Sequence, residues 1–530
     1  MSGTLETGLS RREVLTAYTV LGALLILFGI LAYFRLNPDA IAYLRIAEYY
    51  RRGEFSLALS GYWSPLLSWI CLPVLALTNA PLLAARIALG ISALVFFSGG
   101  LSLLNSFGFA PPFLRAGMWS LVLMSAVLSY YTITPDILAA GFISLTLATV
   151  IRVDWPHSKG LWVRAGIFLA LASLAKFASL PITTFALIAI GFLHRYGKGD
   201  TLRGVLKACS GTLATSFLLL LPWITILSLH HGSFTVSTSA RLSHAAKGPW
   251  PENIQGEVHP TFRKFHVPPA GRISSWEEPT MLEYRYWSPF ESHTLFNHQL
   301  TMIFGNIKTQ VSSWLLLGVL ALLSVSVRRD REQIRYAALA LLPVICNLVV
   351  YLPTHADDPR YYFPSYPFLL AGLLVSIQAL AEKSLLKCEK CFAVIAGVFS
   401  LFLVHDSVLP LTQQIRGQLT GHAPPAPSLP VELSRRLRAR EIGGPVIGGG
   451  PFGLYTAFFL DQPWYGDQAQ FSLDEFRATG GRIVIVPRTK ERAQALTALA
   501  QSSDFHDITQ LLFPEREVPF TVFVRPMGSG

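Results

Sequence analysis

Two aspartates stand at the edge of what reads as hydrocarbon. Asp39, in Asn37-Pro38-Asp39, follows an apolar run that ends at Phe34, and Asp136 closes Thr134-Pro135-Asp136 just before another. A carboxylate beside lipid is costly unless it is paired or functional. Each acid has a structural reading. Pro38 suits the first turn of a helix whose dipole Asp39 would favour, and Thr134-Pro135-Asp136 has the chemistry of a helix start. Each also has a chemical reading: of two acids facing one cavity, one takes a proton from an acceptor hydroxyl or amine while the other orients it.

Three cations accompany them: Lys176 at the end of Ala172-Ser-Leu-Ala-Lys176, Arg86 early in an apolar run, and Arg360 within His355-Ala-Asp-Asp-Pro-Arg-Tyr-Tyr-Phe-Pro364. Arginine matches phosphate oxygens with a planar fork, whereas lysine acts as a point charge. Cations next to lipid and facing acids suit a lipid-linked phosphate whose leaving group gains negative charge. Snorkelling is the structural alternative for Lys176, and pairing with Arg360 is the alternative for Asp357 and Asp358. His355, Asp357 and Asp358 are weak candidates for a divalent metal, at irregular spacing.

The elements that must position these residues are read from hydropathy. Of the 530 residues, 52% are hydrophobic and 14% charged, against about 25% charged in soluble domains. Twelve apolar runs fall near 14–34, 65–77, 81–104, 113–131, 134–152, 161–176, 180–194, 206–230, 308–327, 335–353, 364–381 and 391–409. The net charge of +11 sits mostly in short loops between them, the positive-inside pattern, which argues against nucleic acid. Arg11 and Arg12 should hold the N-terminus in the cytosol. The basic loops agree with that only if one early run does not cross. Pro65–Leu77 is short for a span and bracketed by prolines, so it reads as re-entrant or interfacial. The expected fold is a polytopic α-helical membrane protein of about eleven spans, covering 1–410. Outer loops lie at 35–80, with an amphipathic helix carrying Tyr43, Ala47 and Tyr50, and at 231–305.

Residues 411–430 contain a Pro/Ala-rich linker, and 431–530 read as a small soluble α/β domain outside the membrane. There SRRLRAR and ERAQALTALAQ suggest helices, and RIVIVPR and PFTVFVRP suggest strands. Gly443–Gly453 (GGPVIGGGPFG) lacks the P-loop Lys-Ser/Thr and favours a tight strand–turn over a phosphate cradle. Cys388-Glu-Lys-Cys391 suggests a reduced cytosolic loop, with zinc the alternative.

The acid after the first run, the outer-face Thr-Pro-Asp, the lysine closing a short apolar helix, Leu221-Pro-Trp223 and Arg360-Tyr-Tyr-Phe-Pro364 together resemble the GT-C glycosyltransferases. The resemblance is to the branch of bacterial aminoarabinose transferases and protein O-mannosyltransferases, and it covers about 14–410. It implies an enzyme that moves a sugar from a polyprenyl-phosphate carrier to an acceptor at the outer face of a bacterial inner membrane, with the C-terminal domain periplasmic. Asp39 would be the base and Asp136 the second cavity acid. Arg360, Lys176 and Arg86 would bind donor phosphate, and Tyr43, Tyr62, Trp63 and Tyr361 the substrates. No nucleotide cofactor is implied. Asp39 is followed by Ala40 rather than a second acid, and loop 231–305 is too short for a β-trefoil, so a lipid or glycan acceptor is favoured over protein. The rivals are a flippase for lipid-linked saccharides and an O-antigen-ligase-type transferase with a diphosphate donor.

Overall fold

The computed structural model describes residues 8–197, 199–250, 264–282, 284–308, 331–354, 358–383, 394, 398, 429–468 and 473–526. Ten of the twelve apolar runs correspond to helices. The runs at 308–327 and 391–409 lie almost wholly outside the described residues, as do Cys388, Cys391 and most of the 411–430 linker. The chain forms two compact units. The first comprises Met1–Tyr33, Ser64–His244 and Trp287–Arg416, and the second Phe34–Trp63, Ala245–Tyr286 and Gly417–Gly530.

The first unit is a helical membrane body. Among the described residues six helical segments are long and apolar enough to cross a bilayer: Arg11–Leu31, Pro81–Asn105, Pro111–Tyr130, Leu202–His231, Ile334–Tyr351 and Pro359–Glu382. The segment expected to be re-entrant is a 13-residue helix, Leu66–Thr78, with Pro73 inside it. At about 1.5 Å per residue it falls well short of a core about 30 Å thick.

Asp136–Val150 is also short, and nearly all of its residues are buried. It packs between the Pro81–Asn105 and Lys159–Ala175 helices. The first contact is backbone on backbone. A Cβ added at Gly99 would lie 2.3 Å from the Gly141 carbonyl oxygen, and one at Gly141 would lie 2.6 Å from the Phe96 nitrogen. Without a hydrophobic drive between helices in lipid, close approach at small residues supplies the packing.

The second unit carries a four-stranded mixed sheet, β1 (Val446–Gly448), β2 (Ile483–Pro487), β3 (His506–Asp507) and β4 (Phe520–Val524), in the order β1-β2-β4-β3. β1 runs parallel to β2, and the other pairs are antiparallel. The alternation in RIVIVPR turns Ile483 and Ile485 toward a core with Leu433, Leu437, Leu454 and Trp464, and Val484 and Val486 toward Phe476, Leu499 and Phe505. Ile41 and Ile273 join the first core, so the Pro38–Arg52 helix and residues 271–274 belong to this unit.

The glycine run is a strand–turn–helix, with φ of 75°, 74° and 54° at Gly448, Gly449 and Gly450. Buried Asp467 accepts the Gly450 amide hydrogen bond and pairs with Arg492 at 2.9 Å, so a protein carboxylate occupies the place a phosphate would take.

Gly141→Val should lower the stability of the protein by about 2 kcal/mol or more through overpacking. Gly22→Val, where a Cβ meets nothing within 4 Å, should be near neutral. Thermal unfolding in detergent compares the two.

Candidate active site

Asp136 starts its helix but does not cap it. Pro135 occupies the cap position with no side-chain hydrogen bond, and the Asp136 carboxylate takes a short charge-assisted bond from Lys176 Nζ. Topology makes this possible. The Asp136–Val150 and Lys159–Ala175 helices are consecutive and packed together, so the start of one and the end of the other share one end of the body. Lys176 leaves the helix at φ −153°, ψ 118°. Negative charge at a helix start and positive charge at a helix end both favour the dipoles. Asp136 is only 4% exposed, so an ordinary surface pairing is ruled out.

Aromatic rings enclose the pair. Lys176 Nζ lies 4.3 Å from the Tyr361 ring centroid and 5.4 Å from that of Tyr351, cation–π distances. Arg360 lies 5.3 Å from the Tyr361 centroid, and buried Tyr351 feels the charges of both Asp136 and Arg360. Asp358 caps the Pro359–Ser365 turn by accepting the Arg360 amide at 3.0 Å. Its other oxygen pairs with Arg360 Nε at 3.2 Å, which is the structural alternative raised for it. His355 and Asp357 lie outside the described residues. Among the described residues no group of three His, Cys, Asp or Glu side chains is placed to hold a metal. Arg86 lines a separate recess with Phe28, Ala32 and Tyr130 that includes none of these residues.

The second unit gathers the remaining expected residues. Asp39 Oδ1 accepts from Trp276 Nε1 at 2.9 Å. Trp63 donates to the Trp276 carbonyl oxygen at 2.9 Å. Ring centroids are 5.1 Å apart for Tyr43 and Trp63, 4.7 Å for Tyr62 and Trp63, and 5.6 Å for Tyr62 and Trp276. Edge and tilted geometries at such distances are favourable. Trp276, which sequence reading did not single out, thus joins Asp39 to the Tyr43, Tyr62 and Trp63 cluster. Burial, with the Asp39 charge adding to it, holds the Tyr455 hydroxyl well above its ordinary value.

Beneath this cluster Glu277 is fully buried. It accepts the Ile273 and Ser274 amides at 2.8 and 3.0 Å and contacts Tyr49 through a short hydroxyl bond. The same hydroxyl lies 2.9 Å from the Gly271 carbonyl oxygen. One hydroxyl hydrogen cannot serve two acceptors. A proton on Glu277 donated to the Tyr49 oxygen, with Tyr49 donating to Gly271, satisfies both. Burial accordingly pushes the Glu277 carboxyl above its ordinary range.

Helical elements long enough to span, a charged mouth on the first unit and a mixed α/β region define a polytopic membrane protein of the GT-C fold. Among solved structures the chain is similar to ArnT from Cupriavidus metallidurans bound to undecaprenyl phosphate, with TM-score 0.55 and 14% identity over 96% of this chain and 98% of that one. The apo form of the same protein gives TM-score 0.51 at 14% identity over the same shares. The Archaeoglobus fulgidus oligosaccharyltransferase in complex with Zn and sulfate gives 0.50 at 12% identity, over 91% of this chain and 70% of that one. No protein-family model and no curated protein matches the sequence.

Lys176→Met should strand the buried Asp136 carboxylate and cost about 3–5 kcal/mol. Adding Asp136→Asn should recover most of that loss, measured by thermal unfolding of the single and double variants. Glu277 has a raised pKa, so its contribution to stability is complete at low pH and is lost as pH rises from the ordinary glutamate value through the raised one. Glu277→Gln should remove that pH dependence while remaining stable near neutral pH. Glu277→Ala should cost about 2–3 kcal/mol, because the Ile273 and Ser274 amides lose their acceptor.

Proposed function

We propose that this protein is a membrane glycosyltransferase that moves a sugar from a polyprenyl-phosphate carrier to a lipid or glycan acceptor at the outer face of a bacterial inner membrane. The observation that carries the reading is buried Asp136 paired with partly exposed Lys176, walled by Tyr351 and Tyr361 with Arg360 beside it, at one end of a body of apolar helices. Cationic donors held in a low-dielectric site are what a departing lipid phosphate needs, since they stabilise charge that grows along the reaction. ArnT, whose fold this chain shares, has been solved with undecaprenyl phosphate bound.

Asp39 takes the acceptor proton as the acceptor oxygen or nitrogen attacks the anomeric carbon. The bond to the carrier phosphate breaks on the opposite face, the configuration inverts, and the phosphate leaves with the bonding electrons. Arg360 and Lys176 neutralise the phosphate as it departs. The Trp276 indole orients Asp39 by holding one carboxylate oxygen, and the partly exposed Tyr62 ring, backed by buried Tyr43 and Trp63, offers a face on which a sugar can stack.

Purified protein in detergent, given a radiolabelled polyprenyl-phosphate sugar and envelope lipids or glycans, should transfer label without any gradient. Movement of the donor across a vesicle membrane with no transfer would support the flippase instead, and transfer from a diphosphate carrier alone would support the ligase-type enzyme. Asp39→Asn should reduce turnover by about 10²–10⁴-fold with folding intact. Arg360→Gln should weaken use of the donor by about 10–100-fold, the range of a lost charge-assisted bond. An active Asp39→Asn enzyme removes Asp39 as the base.

A further inference from the structure

One of the two rings that flank Lys176 stands at the end of a helix whose last carbonyls are gripped from elsewhere in the same unit. Tyr351 is the final residue of the Arg331–Tyr351 helix, and carbonyls at a helix end lack partners within the helix. The Tyr351 carbonyl oxygen accepts from the Thr354 amide at 3.0 Å and from the Thr354 hydroxyl at 3.1 Å. The next three carbonyls are answered by side-chain amides. Asn306 Nδ2 donates to the Leu352 and Thr354 carbonyl oxygens at 2.9 and 2.8 Å, and Gln299 Nε2 donates to that of Pro353 at 3.2 Å. Both amides come from a helix over residues 293–308. They stand about two turns apart and so emerge on one face.

The grip has a fixed orientation. A carbonyl only accepts, so the Gln299 amide nitrogen faces Pro353 and its oxygen faces His244 Nε2 at 2.8 Å, which therefore carries the hydrogen. The His244 ring is stacked on Trp287 with centroids 4.2 Å apart, and Trp287 Nε1 donates to the His244 carbonyl oxygen at 3.1 Å. Gln299 itself is buried. On the other side Asn347, buried and one turn before Tyr351, donates to the Tyr361 carbonyl oxygen at 3.1 Å. The Tyr351 and Tyr361 ring centroids lie 5.0 Å apart, and both rings meet the Lys176 ammonium. Water at a membrane surface would satisfy these carbonyls without fixing them. Amides on two helices fix them, and the rings with them.

We propose that Gln299 and Asn306 are positioning residues for the donor phosphate. By holding the carbonyls of Leu352, Pro353 and Thr354 they set Tyr351, and Tyr361 beside it, around Lys176, and so fix where that cation stands. Neither amide touches substrate in this role. The inference rests on the reading of Lys176 as a ligand of the carrier phosphate, and adds to it the segment that sets the lysine's place.

Binding of undecaprenyl phosphate to the full-length protein in detergent, followed by calorimetry, tests it in a double-mutant cycle. Gln299→Met and Asn306→Leu keep side-chain bulk and lose the donors. Each should weaken binding about 3–10-fold, the range of one lost hydrogen bond. In a Lys176→Met/Asp136→Asn background, where Arg360 remains to hold the phosphate, the same substitutions should change affinity by less than about twofold, because the cation they position is gone. Equal weakening in both backgrounds is what a merely structural role would give, and it would overturn the proposal. Where Gln299→Met lowers the melting temperature, Asn306→Leu, at a half-buried position, decides alone. Affinity unchanged in both single variants removes this inference only, whereas a wild-type protein that does not bind undecaprenyl phosphate removes the donor reading and this inference with it.

Discussion

The membrane body is organised around a carboxylate that cannot be left alone. Asp136 is nearly inaccessible, and an ionised acid in a low-dielectric site demands a counter-charge with good geometry. Lys176 meets that demand only if the Asp136–Val150 and Lys159–Ala175 helices form a hairpin whose open end carries both side chains. The hairpin in turn requires close approach to the Pro81–Asn105 helix, which Gly99 and Gly141 permit. The Tyr351 and Tyr361 rings then cover part of the lysine and lower the local dielectric around the pair. A charge, a topology and a glycine contact thus depend on one another.

In the second unit, position is set by segments remote in sequence. Asp39 takes its hydrogen bond from a tryptophan 237 residues away. That tryptophan lies in a turn whose capping box, Ser274 with Glu277, also anchors Tyr49 of the Pro38–Arg52 helix. Glu277 is therefore a scaffold group. It fixes the turn through two amides, fixes the helix through a tyrosine, and in its neutral form adds no charge to the nearby arginines. Two acids linked through Trp276 and its turn differ in burial: Glu277 is inaccessible, whereas Asp39 is half-buried.

Periodicity made much of this architecture legible. Ten apolar runs match helices within a few residues, and the alternating RIVIVPR and PFTVFVRP stretches are strands, because burial on one or both faces writes itself directly into hydropathy. That Asp136 and Lys176 need a reason was legible, since an acid and a cation at helix ends beside lipid are costly; that they pair with each other was not. Nor was Trp276. Its importance arises from its contact with Asp39 across 237 residues, and no spacing rule encodes such a meeting. Tyr351 lies within the 335–353 apolar run and carries no signal of its own in sequence; its contact with Lys176 sets it apart. The pairing of Asp358 with Arg360 is local and was foreseen as an alternative.

The likeness to ArnT at 14% identity over nearly the whole of both chains follows from the same division. A helix facing lipid or an apolar neighbour needs hydrophobic residues of suitable volume, and many sequences meet that condition. Pattern alone can therefore preserve the fold while most identities change. Identity becomes necessary where a single group decides the outcome: no other residue offers Gly141's lack of side chain, and no apolar residue can answer the Asp136 charge. Side chains that the apolar pattern does not constrain are the ones left free to differ. In the second unit the Tyr43, Tyr62, Trp63 and Trp276 rings hold one another in edge-to-face and tilted contacts, and Trp276 bonds Asp39.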